Sequence, residues 1–313
     1  MNVNKKNALV FPGQGSQRPG MGKDFYEQIP VCRQTFEEAA DALGWDVAAL
    51  CFGEDEKLNL TEFTQPCIVT AEICMLRGLK ERYGFTPDYY GGHSLGEFTA
   101  LVAAGVMPLD DTVRIVQTRG RLMQEAVPVG VGGMAAVISE NLDIDMLAEA
   151  MEGLNAGIAN INSANQVVIS GALHAIDEAE KRLTENFPPE KTFRFIRLNV
   201  SAPFHSAFMK VIEGRFAETL EQLGRNMNAE NAFRVTSNYT GSFHDNDVPL
   251  IKRNLVSQLS NTVNWRKNMQ ILADKAEGIY EVGPGRPLRD FFKTIGVACQ
   301  SVTGLGAAEK VFK

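Results

Sequence analysis

The chain has 313 residues, with 31 Lys plus Arg against 38 Asp plus Glu and a formal net charge of −7 at pH 7. Its 44% hydrophobic and 22% charged residues are ordinary for a folded globular protein and exclude disordered, collagen-like and disulfide-scaffold classes. The mild acidity argues against broad nucleic-acid binding, which needs a basic footprint. The most continuous apolar stretch, Phe98 to Met107, falls well short of the roughly 18 residues of a membrane span, and Ala8-Leu9-Val10-Phe11 is too short for a signal-peptide core. Cys32, Cys51, Cys67, Cys74 and Cys299 form no CxxC and no zinc spacing. They read as reduced thiols, and a cytoplasmic location is expected.

Ala8 to Phe11 reads as a buried strand closed by Pro12-Gly13 and followed by the loop Gly13-Gln14-Gly15-Ser16-Gln17. Helical periodicity runs from about Val31 to Leu50 and from Gln65 to Tyr83. Asp88 to Gly91 suits a strand, Leu95 to Ala104 a helix ended by Gly105, and Pro108 opens a helix to about Ala126. That last helix carries Leu109, Val113, Val116, Gly120, Met123 and Val127 on one face. The glycine-rich segment Pro128 to Gly133 marks a hinge. Beyond it come a strand (Met134–Ile138), a helix (Ile144–Met151), two strands (Ile158–Ile161, Gln166–Ser170), a helix (Leu173–Leu183) and a strand (Phe193–Val200). The order βαββαβ predicts a ferredoxin-like inserted domain over 129–200, flanked by an α/β core of 1–128 and 201–313. The returning core is expected to hold a helix near Met209 to Leu223, a strand near Phe233 to Ser237, a helix near Ile251 to Ser260 and a strand at Gly278 to Val282.

Gly92-His93-Ser94-Leu95-Gly96 fits G-x-S-x-G between a predicted strand and a predicted helix, the setting of a nucleophile elbow. The same residues also read as a helix start, because Ser94-Leu95-Gly96-Glu97 is a capping box. A serine nucleophile needs a base. His93 lies inside the turn, His174 reads as solvated near the start of a charged helix, and His244 sits in the polar loop Gly241 to Asp247. His205 remains, in the loop Ser201-Ala202-Pro203-Phe204-His205, as a general base or as a histidine satisfied by backbone. No aspartate between Ser94 and His205 stands out as a third member, so a Ser-His dyad is expected, its imidazole oriented by a backbone carbonyl. Arg119 falls about 80° from the centre of its helix's apolar face. A guanidinium on that border can clamp a carboxylate through paired hydrogen bonds, or it can be a structural or snorkelling arginine. Gly130 to Ala135 matches G-x-G-x-x-A but precedes a strand, which argues against a dinucleotide site, and no metal-ligand spacing is present.

Taken together, these residues resemble the malonyl-CoA:acyl carrier protein transacylase family. The resemblance rests on Phe11-Pro12-Gly13-Gln14-Gly15-Ser16-Gln17, Gly92 to Glu97, Arg119-Gly120-Arg121-Leu122-Met123-Gln124, Asn162 to Gly171, Ala202-Pro203-Phe204-His205, Gln258-Leu259 with Trp265, and Glu281-Val282-Gly283-Pro284-Gly285. It implies an α/β-hydrolase-like core carrying the ferredoxin-like insert, with the site in the cleft between them. It implies Ser94 as the acylated nucleophile, His205 as its base and the N–H groups of Gln14 and Leu95 as the oxyanion hole. Arg119 would hold the malonyl carboxylate, the Gln258 carbonyl would orient His205, and Phe204 and His93 would line the substrate pocket. Phenylalanine at 204, where many fatty-acid members carry a smaller residue, resembles malonyl-selecting polyketide acyltransferases and should disfavour methylmalonyl. The implied reaction is ping-pong transfer from malonyl-CoA to the phosphopantetheine thiol of an acyl carrier protein, with no resident cofactor, serving fatty-acid or trans-acting polyketide synthesis. Carrier proteins are acidic, so docking needs local cations; Lys191, Arg194, Arg286, Arg289 and Lys293 are candidates. An acyl hydrolase that clears carrier proteins and a non-catalytic docking module are the competing expectations. The retained Arg119 speaks against the former, and Ser94, His205 and Arg119 together speak against the latter.

Overall fold

The computed structural model describes residues 6–128, 130–187 and 193–313. The apolar run at the start forms β1 (Asn7–Phe11), buried along its length. Four helices follow: α1 (Lys23–Gln28), α2 (Pro30–Leu43), α3 (Val47–Phe52) and α4 (Thr61–Tyr83). The single helical stretch expected from Val31 to Leu50 is broken at Gly44, which takes φ 76°, and Asp46 recaps the chain for α3 by accepting from the Ala49 N–H. α4 is buried on nearly every face over its first 19 residues, as expected of a helix at the centre of a fold. Then come β2 (Tyr89–Gly92), α5 (Leu95–Ala103) and α6 (Leu109–Glu125).

The middle of the chain forms β3 (Gly132–Ile138), α7 (Ile144–Ala150), β4 (Ala156–Ile161), β5 (Gln166–Ala172), α8 (Leu173–Asn186) and β6 (Arg194–Arg197). The remainder holds α9 (Glu213–Leu223), the two-residue strands β7 (Thr236–Ser237) and β8 (Ser242–Phe243), α10 (Val248–Ser257), α11 (Trp265–Lys275), β9 (Gly278–Val282), α12 (Pro287–Lys293), β10 (Cys299–Val302) and α13 (Leu305–Phe312). The strand expected over 233–237 shrinks to β7, because Ala229–Arg234 is a 3₁₀ turn capped by the Asn228 side chain. The expected helix over 251–260 starts three residues earlier, where Asp247 accepts from the Leu250 N–H, and ends at Ser257. The final strand of the middle segment is shorter than expected, four residues ending at Arg197.

Two four-stranded sheets carry the architecture. The first has the order β10-β9-β1-β2 and is parallel throughout. Burial on both faces explains why β1 reads as an unbroken apolar run rather than an alternation. Because β1 and β2 are in register from Ala8↔Tyr89 to Phe11↔Gly92, their carboxyl ends release the Pro12-Gly13 and His93-Ser94 loops at one edge. β9, on the other side of β1, delivers Gly283-Pro284-Gly285 to that edge. Carboxyl strand ends are where open parallel sheets present their ligand sites. The second sheet has the order β4-β5-β3-β6 and is antiparallel, with α7 and α8 covering the apolar cluster of Ala135, Val137, Leu147, Val167, Ile169 and Ile176. Backbone bonds from Ile161 N to Val263 O (3.0 Å) and from Val263 N to Ala159 O (2.8 Å) tie it to the chain just before α11.

Candidate active site

Ser94 sits between β2 and α5 with φ 52° and ψ −99°, a backbone conformation that costs a non-glycine residue roughly 1–3 kcal/mol. The neighbouring glycines make the turn possible. A Cβ at Gly92 would overlap the Gly96 backbone, and one at Gly96 would overlap the Phe11 carbonyl. Gly13 is equally constrained, since a Cβ there would come 2.5 Å from the His93 oxygen, so the loop after β1 lies flat against the elbow. The capping-box expectation fails. Ser94 makes no side-chain cap bond, and Glu97 turns into the interior instead of reaching back. The Ser94 N–H donates to Asn238 Oδ1 at 2.6 Å, and Asn238 Nδ2 donates to the Gly92 carbonyl at 2.7 Å, bracing both sides of the turn.

The Ser94 hydroxyl lies 2.7 Å from His205 Nε2. His205 also has positive φ, 55°, and its Nδ1 lies 2.8 Å from the Gln258 carbonyl oxygen. A carbonyl only accepts, so Nδ1 carries the proton and Nε2 offers its lone pair to the serine. Burial, and then the facing Arg119 guanidinium, push His205 down to about 3, against the hydrogen bond to Gln258. The ring is therefore a neutral base ready to take the Ser94 proton.

Arg119 is not at a solvent border: it is 1% exposed. Its Nη1 donates to Gln65 Oε1 at 3.0 Å, and its Nη2 donates to Gln258 Oε1 at 2.8 Å and to Ser94 Oγ at 3.1 Å. The guanidinium lies over the Phe98 ring at 5.3 Å, and its Nε has no hydrogen-bond partner among the described residues. Burial lowers its pKa to about 10, which Glu97 opposes, and leaves it charged at neutral pH. A buried cation satisfied only by neutral amide and hydroxyl oxygens is set up to receive an anion.

The other expected residues distribute as follows. Leu95 opens α5, ahead of the first turn bonds from Gly96 and Glu97. Gln14 is exposed, its side chain donating to Thr61 Oγ1 at 3.2 Å and accepting from Gln65 Nε2 at 3.4 Å. His93 points away from the hydroxyl, with Nε2 2.7 Å from Asn162 Oδ1 beyond β4, so it bridges the elbow to the second sheet. Phe204 is buried beside His205. Of the docking candidates, Lys191 lies outside the described residues. Arg194 is exposed on β6, Arg286 and Lys293 are exposed at the two ends of α12, and Arg289 pairs with Asp290 at 3.2 Å. The described candidates lie on β6 and at α12.

His244, in the polar loop, turns inward. It is 3% exposed, because the β7–β8 hairpin folds it inward, with Nε2 2.8 Å from Glu97 Oε1. Gln65, Glu97, Asn238 and His244 complete the site and were not identified from the sequence. Only Glu97 carried a signal, its fixed spacing from Ser94, and that signal was assigned to capping.

The acyl transferase domain family matches residues 8–284. The chain is 40% identical to the malonyl CoA-acyl carrier protein transacylase of Escherichia coli K12 over 294 residues, 92% of each chain. The chain belongs to the malonyl-CoA:acyl carrier protein transacylase family. An acyl carrier protein S-malonyltransferase from Vibrio cholerae superposes on it with a TM-score of 0.90 at 37% identity, covering 98% of this chain and 99% of the other. A malonyl-transacylase solved in complex with its type II PKS acyl-carrier protein gives a TM-score of 0.87 at 34% identity, covering 98% and 99%.

Proposed function

We propose that this chain moves a malonyl group from malonyl-CoA to the phosphopantetheine thiol of an acyl carrier protein. The observation that carries the reading is the meeting of three groups at one oxygen: Ser94 Oγ lies 2.7 Å from His205 Nε2 and 3.1 Å from Arg119 Nη2. The malonyl carboxylate pairs with Arg119, which places the thioester carbonyl at Ser94. His205 Nε2 takes the hydroxyl proton as Oγ attacks, and the N–H groups of Leu95 and Gln14 receive the developing oxyanion. Collapse expels CoA thiolate, which recovers the proton from His205. The carrier thiol then gives its proton to His205 and attacks the malonyl-serine; collapse breaks the ester bond, and Ser94 Oγ leaves with the proton returned by His205. The Nδ1–H bond to Gln258 holds the ring through both half-reactions and stabilises its transient positive charge.

We assign residues 1–128 and 201–313 to an α/β-hydrolase-like core and 129–200 to a ferredoxin-like insert. The parallel sheet and the βαββαβ segment with strand order β4-β5-β3-β6 support that division. The chemistry needs no resident cofactor. No helix among the described residues is long and apolar enough to cross a membrane, and a cytoplasmic location, where malonyl-CoA and carrier proteins meet, is part of the proposal. A hydrolase of neutral acyl chains would have no use for Arg119. Intact-mass analysis after mixing with malonyl-CoA should show a malonyl adduct in the wild type and none in Ser94→Ala. Adding a holo carrier protein should discharge it onto the carrier. Release to water in preference to the carrier would defeat the reading.

A further inference from the structure

Glu97 is fully buried, yet no part of the mechanism above uses it. Its two carboxylate oxygens collect three N–H groups. Oε1 accepts from His244 Nε2 at 2.8 Å, and Oε2 accepts from Gln258 Nε2 at 2.7 Å and from the Asn238 backbone N–H at 2.9 Å. A carboxylate, an acceptor at both oxygens, serves all three. His244 Nδ1 is buried and has no hydrogen-bond partner among the described residues. Glu97 thus brings a fixed negative charge beneath the elbow. Each functional group touches it through a single intermediary. Asn238 carries the contact to the Ser94 N–H, and Gln258 carries it to His205 through its backbone carbonyl and to Arg119 through its side chain.

The polarity of the Gln258 amide is the decisive point. Its Oε1 must face Arg119, because a flipped amide would aim N–H groups at a guanidinium. What prevents the flip is an anion on the opposite side that accepts from Nε2; the other acceptor there, the Ser94 carbonyl, is farther at 3.1 Å. We propose that Glu97 is a positioning residue for acyl transfer, fixing Gln258 so that its backbone carbonyl aims the base and its side-chain oxygen aims the carboxylate clamp. The proposal predicts that two separate properties fail together when Glu97 changes: the reactivity of Ser94 and the preference for malonyl over acetyl.

The experiment compares wild type, Glu97→Gln and Glu97→Ala by three measurements: Tm, the rate of Ser94 phosphonylation by a fluorophosphonate, and the malonyl-to-acetyl ratio of acylation rates. Glu97→Gln keeps the shape and one oxygen for Asn238 and Gln258 but removes the charge. Glu97→Ala removes the anchor. Phosphonylation and the acyl ratio should both fall, by about tenfold in Glu97→Gln and up to about a hundredfold in Glu97→Ala, the kinetic equivalent of losing a hydrogen bond to a charged group. Folded variants with a lowered Tm but unchanged phosphonylation and ratio would make Glu97 merely structural. A fall in one readout without the other would also overturn the shared-anchor role. Where Glu97→Ala does not fold, Glu97→Gln decides. The acyl-ratio arm rests on the malonyl-transfer reading, whereas phosphonylation needs no acyl-CoA. Failure of the wild type to take malonyl would therefore sink that reading and leave the dyad arm legible.

Discussion

Arg119 hydrogen-bonds the same oxygen that faces His205: its Nη2 donates to Ser94 Oγ at 3.1 Å while the same nitrogen holds Gln258 Oε1 at 2.8 Å. The hydroxyl accepts from a cation, which favours its deprotonated form, and on the proposed reading a malonyl carboxylate would share that cation.

Arg119→Ala should therefore discriminate between substrates. We expect malonyl acylation to fall about a hundredfold more than acetyl acylation, the cost of a paired charge-assisted hydrogen bond. Competing acyl-CoAs read by intact mass provide the check. An equal loss for both acyl groups would remove Arg119 from carboxylate binding.

Asn238→Ala should give the opposite signature. Asn238 touches only the elbow's backbone, the Ser94 N–H and the Gly92 carbonyl, through its side chain. Losing these two bonds should destabilise the fold by roughly 1–3 kcal/mol and slow both acyl groups alike. A change in the malonyl-to-acetyl ratio would contradict this division of labour.

Glycine tolerance should separate along the same line. Gly92→Ala places a methyl group against the Gly96 backbone and should cost about 3 kcal/mol or prevent folding. Gly214→Ala, in the first turn of α9 with open space around its Cβ, should instead stabilise by roughly 0.5 kcal/mol. Chemical denaturation of the two variants tests both signs, and a tolerated Gly92→Ala would refute the tight-turn geometry.

His205 should leave a mark on acid stability. Its folded pKa lies at about 3 against 6.5 ordinarily. Between those values the unfolded chain binds the extra proton, so this residue's contribution to stability declines as pH falls through that window. The Tm advantage of wild type over His205→Asn should accordingly shrink from about pH 7 to about pH 4.5. The acid limb of acylation should also lie well below the range of a free imidazole. A pH-independent Tm difference, or an acid limb at 6.5, would mean that the ring titrates normally.

The sequence was most readable where one short segment carried its own constraint. The Ser94 elbow is written in adjacent glycines, and His205 stood out because the other three histidines had plainer readings. The wheel of α6 puts Arg119 at the border of the apolar face rather than in the interior, because it counts only that helix's own apolar face. Gln65 from α4 and Phe98 from α5 close over the guanidinium from sides no wheel contains. His244 was discounted because Gly241-Ser242-Phe243-His244-Asp245 has the composition of an exposed turn. The pairing of β7 with β8 carries the ring inward, and short-range patterning does not encode that. β10 was missed because Cys299-Gln300-Ser301-Val302 has no apolar run; it forms by pairing with β9 at the sheet's edge.

His205 is aimed by the main chain of a residue 53 positions farther on. During synthesis on the ribosome, the serine and its imidazole emerge well before the carbonyl that holds the ring in place. The base is therefore held in place only once α10 has been made and packed, however early the serine folds.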